Sequence, residues 1–553
     1  MKLSLWWFVC SVLGVSLLAG CGGDQAPPQV AKAPPVVAPP VIAPEAAPAE
    51  TPANAPAGTP AQAPAAIPEN GATESIRKAL EGLKINVGLS QLLTPEVLFD
   101  FECKSADTLP ALEKLQGLAG TEFCVKITNY DYATDAYVAL LPKLPGLRGV
   151  TITLSDKCTL ASIKALSELK QLKVLSVDAA IVKDEQKIFD YGFLKSFTSL
   201  QYLDLKDFPL NHASAQFLPE MKGLLGLHLT SCGINDADFA AVEHMPDLRE
   251  LTLASETETT NAGFQVLNKL TKLEHLSLWS HFGVDDTGCR CLAVMPLLKT
   301  VDLRFLNITD ATLEHLAQAK NLEVLKLWET KIVGSGFQHF TDHTKLRELE
   351  IQGCSSLTGA GLGALAKCSG LTHLDLNRTV ADNAGLADVA KLTSLTFLQL
   401  PLYDHPNDKP TPLDRLNEAG LKHLAALTNL EELHVFGNGI NDAGLAHLKT
   451  LTKLKELEVG YTMNVTGSGF ADWKGFTQFD YLNLSKTTIP EGGTKYLVGL
   501  KTLRRLGLPD GTITDASIPN LIQLPKLEYL YGEHKFTEDG RKELSKALEN
   551  LIN

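Results

Sequence analysis

LEELHVFGNGINDAGLAHLKTLTK, residues 430 to 453, recurs with small variations along most of this 553-residue chain. Leu430, Leu433 and Val435 form the pattern LxxLxL, and Ile440, Leu445 and Leu448 carry the apolar positions on at wider spacing. The alternation of Leu433 and Val435 predicts a short strand with one buried face. Leu445 and Leu448, three apart and following Asn441-Asp442, predict a short helix with a polar N-cap. One unit is therefore a strand, a turn and a helix.

Outward from this unit the register holds. The first residue of each core falls at Leu98, Glu122, Leu147, Leu172, Leu200, Leu224, Leu248, Leu273, Leu298, Leu322, Leu346, Leu371, Leu395, Leu430, Leu454, Phe479, Leu503 and Leu527, in steps of mostly 24 or 25. About 18 units in fixed register, from 96 to 535, leave no room for a separate catalytic domain. The segment 73–95 is expected to cap the stack, with residues 73–90 as a helix carrying a stripe of Ile76, Ala79, Leu80 and Leu83. Residues 536–553 are expected to close it with a helix that presents Leu544, Leu548 and Leu551.

These units resemble leucine-rich repeats, and within that family the variants with ITDAGL-like turns: ITDATL at 308–313, LTGAGL at 357–362, INDAGL at 440–445 and ITDASI at 513–518. The resemblance is to helix-backed, cysteine-containing repeats, a class that is common in bacterial surface proteins and that also occurs in F-box proteins. It implies an α/β solenoid, a right-handed horseshoe with parallel strands on the concave face and short helices on the convex one. Strands stack about 4.8 Å apart and helices need about 10 Å, which is why the sheet side becomes concave. The ninth position of each unit (Thr330, Thr379, Thr462, Thr487, Asn438, Cys232, Cys354) is expected to satisfy a buried turn by hydrogen bonding. Phe208, Glu256 and Leu306 depart from that pattern.

Ahead of the repeats, MKLSLWWFVCSVLGVSLLAGC has one early lysine, an apolar run of signal-sequence length and small residues before Cys21. Leu18-Ala19-Gly20-Cys21 resembles the bacterial lipobox. That resemblance implies a signal peptide 1–20, a lipid on Cys21 and export to the cell envelope, with Gly22 rather than Asp pointing to the outer membrane; an ordinary secretory signal is the plainer alternative. Several acyl chains anchor stably where one is marginal. Residues 21–72 are a Pro/Ala-rich tether unable to offset its ordering entropy.

The formal net charge is −14, or −15 without Lys2, and a strongly acidic arc is a poor nucleic-acid binder. Ten cysteines include Cys10 and Cys21, and the remaining eight sit at scattered repeat positions. Buried free thiols are expected; the nearest candidates for a bridge are Cys354 with Cys368 and Cys103 with Cys124.

Several motifs suggest chemistry, and the repeat absorbs each. Gly359, Gly361 and Gly363 have the order of a dinucleotide loop but fill the ITDAGL slot. His339 and His343 have the spacing of two metal ligands on a helix and lack a third; surface histidines are expected. Cys289 and Cys291 lack the second pair that a zinc site needs. No metal or cofactor is expected, and no enzyme.

What remains is the inner face. The residue after the third core position is Trp279, Arg304, Trp328, Gln352 and Asn377 in five successive units, and the next column holds Phe305, Glu329 and Arg378. Trp and Arg concentrate at binding hot spots and stack by cation–π contact. The alternative is that Trp279 and Trp328 merely sandwich Arg304 and stabilise the sheet. The insert 401–415, rich in Pro and Asp, is expected to leave the solenoid as a rim loop that offers Tyr403, Asp404, His405 and Asp408, either for binding or as an inert insertion.

The expected function is recognition of a protein or a surface glycan on the concave face by a monomeric, membrane-anchored scaffold. An architectural lipoprotein that self-associates is the alternative. An F-box-like adaptor in protein turnover is a remote one, because no F-box precedes the repeats.

Overall fold

The computed structural model describes residues 86–551 apart from 90–98, 103–108, 118–121, 129–133, 156, 159–161, 163–164, 180–190, 209, 211–214, 257, 402–415, 437–438, 461, 463 and 549–550. The signal, Cys21, the tether, Cys103, Asn438 and the rim-loop residues Tyr403, Asp404, His405 and Asp408 lie outside the described residues, as does the expected capping helix as far as residue 85.

Each of the 18 expected cores forms a strand, and the described strands make one 19-stranded sheet. The nineteenth is Asn86–Leu89, which runs antiparallel to Phe99–Glu102. This corrects the expected helix over 73–90 at its C-terminal end. Valine and glycine in Asn86-Val87-Gly88-Leu89 form helices poorly, and pairing covers an open sheet edge. Every later pairing is parallel and steps one unit along the chain, as when Leu433 meets Leu457 and Leu325 meets Leu349. No described strand returns to close the sheet, so the fold is an open α/β solenoid.

The unit 430–453 forms as its pattern predicts. Glu432–Phe436 is the strand and Asp442–His447 an α-helix, extended by a 3-10 turn over Leu448–Thr450. Asn441 is the N-cap, accepting from the Gly444 N–H, and Leu433, Val435, Ile440, Leu445 and Leu448 are fully buried. Elsewhere the backing element is often 3-10 rather than α, as at Gly288–Val294, Ser335–His339 and Glu491–Leu497. A tighter helix is what a return path of few residues between strands about 4.8 Å apart allows.

Two sets of polar contacts hold the turns, the threonines within their own unit and the cysteines and aspartates across to a neighbouring one. At the ninth position Thr330, Thr379 and Thr487 donate to the carbonyls of Leu327, Leu376 and Leu484, and the Cys232 and Cys354 thiols to those of Leu205 and Leu327. Thr462 is buried with no partner for its hydroxyl. On the convex side an aspartate of one unit caps the helix start of the next. Asp310 accepts from the N–H groups of Val333, Gly334 and Gly336 and from the Ser335 hydroxyl. Asp442 does the same for Thr466, Gly467 and Gly469. Burial alone would raise the Asp310 carboxyl; the Ser335 hydroxyl and the three N–H groups outweigh it and hold the pKa below the usual aspartate range.

The departures from the pattern are resolved individually. Phe208 and Leu306 fill the core. Glu256 is fully buried, and its carboxylate accepts from the N–H groups of Cys232 at 2.5 Å and Ile234 at 2.9 Å, replacing the usual Thr or Cys with a longer reach.

All seven described cysteines are buried free thiols, so Cys354 and Cys368 are not bridged. Gly361 answers to packing: a side chain there would meet the Val333 carbonyl at 2.4 Å. Thr358 caps the helix that begins at Gly359. His343 corrects the expectation of two surface histidines, because it is fully buried with its ring stacked 4.2 Å from that of Phe340, whereas His339 is exposed. Among the described residues no group of three metal-ligating side chains occurs, and no helix is long and apolar enough to cross a membrane. The C-terminal helix Glu538–Ala547 is capped by Thr537 and buries Leu544, with Leu548 buried just beyond it.

Candidate functional site

In each strand the core residues point away from the inner face, and the residues between them form columns across it. One column runs through Ser277, Asp302, Lys326, Glu350, Asp375 and Gln399. Beside it Trp279, Arg304, Trp328, Gln352 and Asn377 are all partly exposed.

The expected tryptophan–arginine grouping forms. The Arg304 guanidinium carbon lies 5.7 Å from the centroid of the Trp279 ring and 4.7 Å from that of Trp328. Sequence reasoning missed the third partner: Asp302 accepts from Arg304 Nε at 2.8 Å and from its Nη2 at 2.6 Å. A bidentate pair at the centre of a stack fixes the guanidinium, so Arg304 acts chiefly as the spacer that holds two indoles in place. Trp328 Nε1 is buried without a partner.

Gln352 and Asn377 converge on Asp375. The Gln352 side-chain amide donates to Asp375 Oδ2, and the Asn377 backbone N–H to its Oδ1 at 2.8 Å. Burial pushes the Asp375 carboxyl up to about 6. Next to it Lys326 bridges Glu350 at 2.6 Å and Glu348 at 3.4 Å. His373 stacks 3.9 Å from Phe397, and burial lowers its pKa. His434 is half of a 2.8 Å pair with Glu432; burial lowers its pKa, but the acidic neighbours outweigh this and raise it.

Phe305, Glu329 and Arg378 occupy a different position from the one expected. They stand where the chain turns out of the sheet, at left-handed φ of 61°, 54° and 57°. Asp207, Ser231, Ser255, Ser280 and Gly353 share that conformation in their own units. Seven of the eight, Asp207, Ser231, Ser255, Ser280, Phe305, Glu329 and Gly353, still donate their N–H to the next unit, as Phe305 does to Trp328 and Glu329 to Gln352. These side chains therefore form the rim of the sheet, where Glu329 and Arg378 approach to 3.8 Å across Gly353. With one glycine among eight such positions, composition offers no signal for the conformation. The rim also carries Phe282, which is 58% exposed.

A second concave feature was not anticipated. A cavity of about 390 Å³ opens on the inner face between Lys126 and His228, over a floor that includes Thr151, Val174 and Ser176 and beside Tyr202 and Asp204. The floor residues Thr151, Val174 and Ser176 are short, and Gly226 is what lets the Tyr202 ring lie down, since a methyl group there would come within 2.4 Å of it.

The family model described as "Leucine Rich repeat" matches residues 342–366 and 426–449. No curated protein matches the chain. Among solved structures, an internalin of Listeria monocytogenes strain 4b F2365 is 19% identical, covering 61% of this chain and 87% of its own, with a TM-score of 0.44. A leucine-rich-repeat protein of Leptospira interrogans is 16% identical over 82% of this chain and 98% of its own, with a TM-score of 0.46. At those values neither likeness carries an argument about the function of this chain.

Proposed function

We propose that this leucine-rich-repeat protein is a non-enzymatic recognition scaffold that binds a protein ligand on its concave face at Trp279, Arg304 and Trp328. The observation that carries the reading is the arginine locked between two partly exposed indoles. An Arg–Asp pair worth its desolvation cost on a sheet face, with two large aromatic surfaces held at fixed spacing, is a preorganised contact patch. Phe305 and Glu329 extend it at the rim, and Gln352, Asn377 and Arg378 extend it along the solenoid.

The scaffold is exported, carries a lipid on Cys21 and stands off a cell-envelope membrane, the outer membrane in this reading, on the tether 21–72. The sequence supports this through the lipobox-like LAGC and the Pro/Ala composition that follows it. The protein acts as a monomer, with the insert 401–415 as an accessory rim loop.

The test compares proteins captured from envelope extract by the wild type and by the Trp279→Ala, Trp328→Ala double variant, with thermal unfolding measured in parallel. Loss of a saturable partner at unchanged melting temperature is the expected result. Full retention of that partner sinks the site. Separately, Cys21→Ser should abolish palmitate labelling and release the protein from the membrane fraction; continued labelling contradicts the anchor.

A further inference from the structure

We propose that the cavity between Lys126 and His228 is a carbohydrate subsite that takes one pyranose ring. Its volume of about 390 Å³ falls within the range of roughly 300–1,000 Å³ of small-ligand pockets. Its chemistry selects the class. Asp204 accepts the Ser176 hydroxyl at 2.9 Å, which fixes the carboxylate and leaves it with further acceptor capacity toward the cavity. Thr151 and Ser176 add hydroxyls to the floor, and Val174 an apolar patch.

The Tyr202 ring, lying against Gly226, borders the same space. An aromatic surface beside an oriented carboxylate and hydroxyl matches a ligand with an apolar C–H face and a rim of vicinal hydroxyls. An ion fits less well: the Lys126 ammonium and the Asp204 carboxylate bring opposite charges to one cavity. A purely apolar anchor of a protein partner would bury the Lys126 ammonium, the Asp204 carboxylate and the Thr151 hydroxyl against carbon without offering them hydrogen bonds. The site lies at units before the Trp279–Trp328 patch and does not rest on that patch.

Saturation-transfer difference NMR on the full-length protein, with methyl α-mannopyranoside, methyl β-galactopyranoside and methyl N-acetyl-β-glucosaminide as probes, tests the proposal. At least one glycoside should show transfer at millimolar concentration. The signal should fall at least about tenfold in apparent affinity in both Asp204→Asn and Tyr202→Ala, and stay unchanged in the Trp279→Ala, Trp328→Ala double variant. Asp204→Asn is nearly isosteric and keeps an acceptor for Ser176, so far-UV circular dichroism should match the wild type. Comparable binding of a matching trisaccharide assigns a free sugar, and stronger binding of the trisaccharide assigns a glycan chain. No transfer from any glycoside, or transfer that survives both pocket variants, overturns the proposal. Loss of partner capture by the tryptophan variant alone bears only on the protein-binding patch.

Discussion

Replacing Asp310 by Ala should open one seam of the solenoid by about 3 kcal/mol. The carboxylate receives four donors from the next unit: the N–H groups of Val333, Gly334 and Gly336 and the Ser335 hydroxyl. Val333 N–H and the Ser335 hydroxyl lie at exposed bonds and recover water on loss of the partner, whereas those of Gly334 and Gly336 are partly buried. Two hydrogen bonds to a charged acceptor, at about 1.5 kcal/mol each, set the figure. Asp310→Asn keeps one acceptor oxygen and should cost about half as much.

The loss must also be local, because each unit contacts only its neighbours. Native-state hydrogen exchange should show faster exchange at residues 333–336 with little change beyond the adjoining units, and guanidinium unfolding should shift to a lower midpoint. Asp442→Ala provides an independent copy of the experiment, with its loss at 466–469. Because the folded pKa of Asp310 is depressed, its contribution is present above the unfolded value of 3.8 and disappears as pH falls through the folded one. The variant and the wild type should therefore converge in stability at strongly acid pH. A cost below about 1 kcal/mol at neutral pH, or unchanged exchange at 334–336, refutes the reasoning.

Other consequences are as specific. His343 is buried and its pKa is lowered from 6.5 to about 4, so the unfolded chain takes a proton that the fold refuses; stability falls between pH 6.5 and 4 by up to about 3 kcal/mol. His343→Leu should flatten that pH dependence in thermal melts, and an unchanged slope contradicts the assignment. Glu256→Ala leaves the N–H groups of Cys232 and Ile234 buried and unpaired and should cost about 2–4 kcal/mol by denaturant unfolding; a loss under half a unit, on the order of 0.5 kcal/mol, argues that water replaces the carboxylate. Ser231→Gly, at φ 54°, should be neutral to stabilising by up to about 1 kcal/mol, whereas Gly inside an adjacent strand should destabilise.

The fold was legible in the sequence because its signal is redundant. A misplaced apolar residue in one unit is outvoted by the register of its neighbours, so even Glu122, the first residue of a degenerate core, precedes a strand at Phe123–Ile127. The antiparallel strand Asn86–Leu89 was illegible for the converse reason: an end unit has no periodicity to consult, and residues 73–83 suggested a helix that was carried too far. The same asymmetry holds for His343, whose surroundings are set by packing between units, not by its spacing from His339.

The inner face was legible only as far as columns go. Placing Trp279, Arg304 and Trp328 side by side required only the repeat length. Asp302 ends its strand two residues before Arg304 and lies in the column beside it, so the repeat length alone does not reveal its claim on the guanidinium. Its presence alters the physical role of the patch. An arginine already satisfied by a carboxylate and two rings offers a ligand little new hydrogen bonding, so binding energy there has to come from burial of the indoles. Replacing Arg304 should then weaken binding mainly by releasing Trp279 and Trp328 to move, and Arg304→Lys, which keeps the charge and loses the planar fork, should fail almost as badly as Arg304→Ala. If the lysine variant binds as the wild type does, charge rather than the fixed spacing of the rings is what the partner reads.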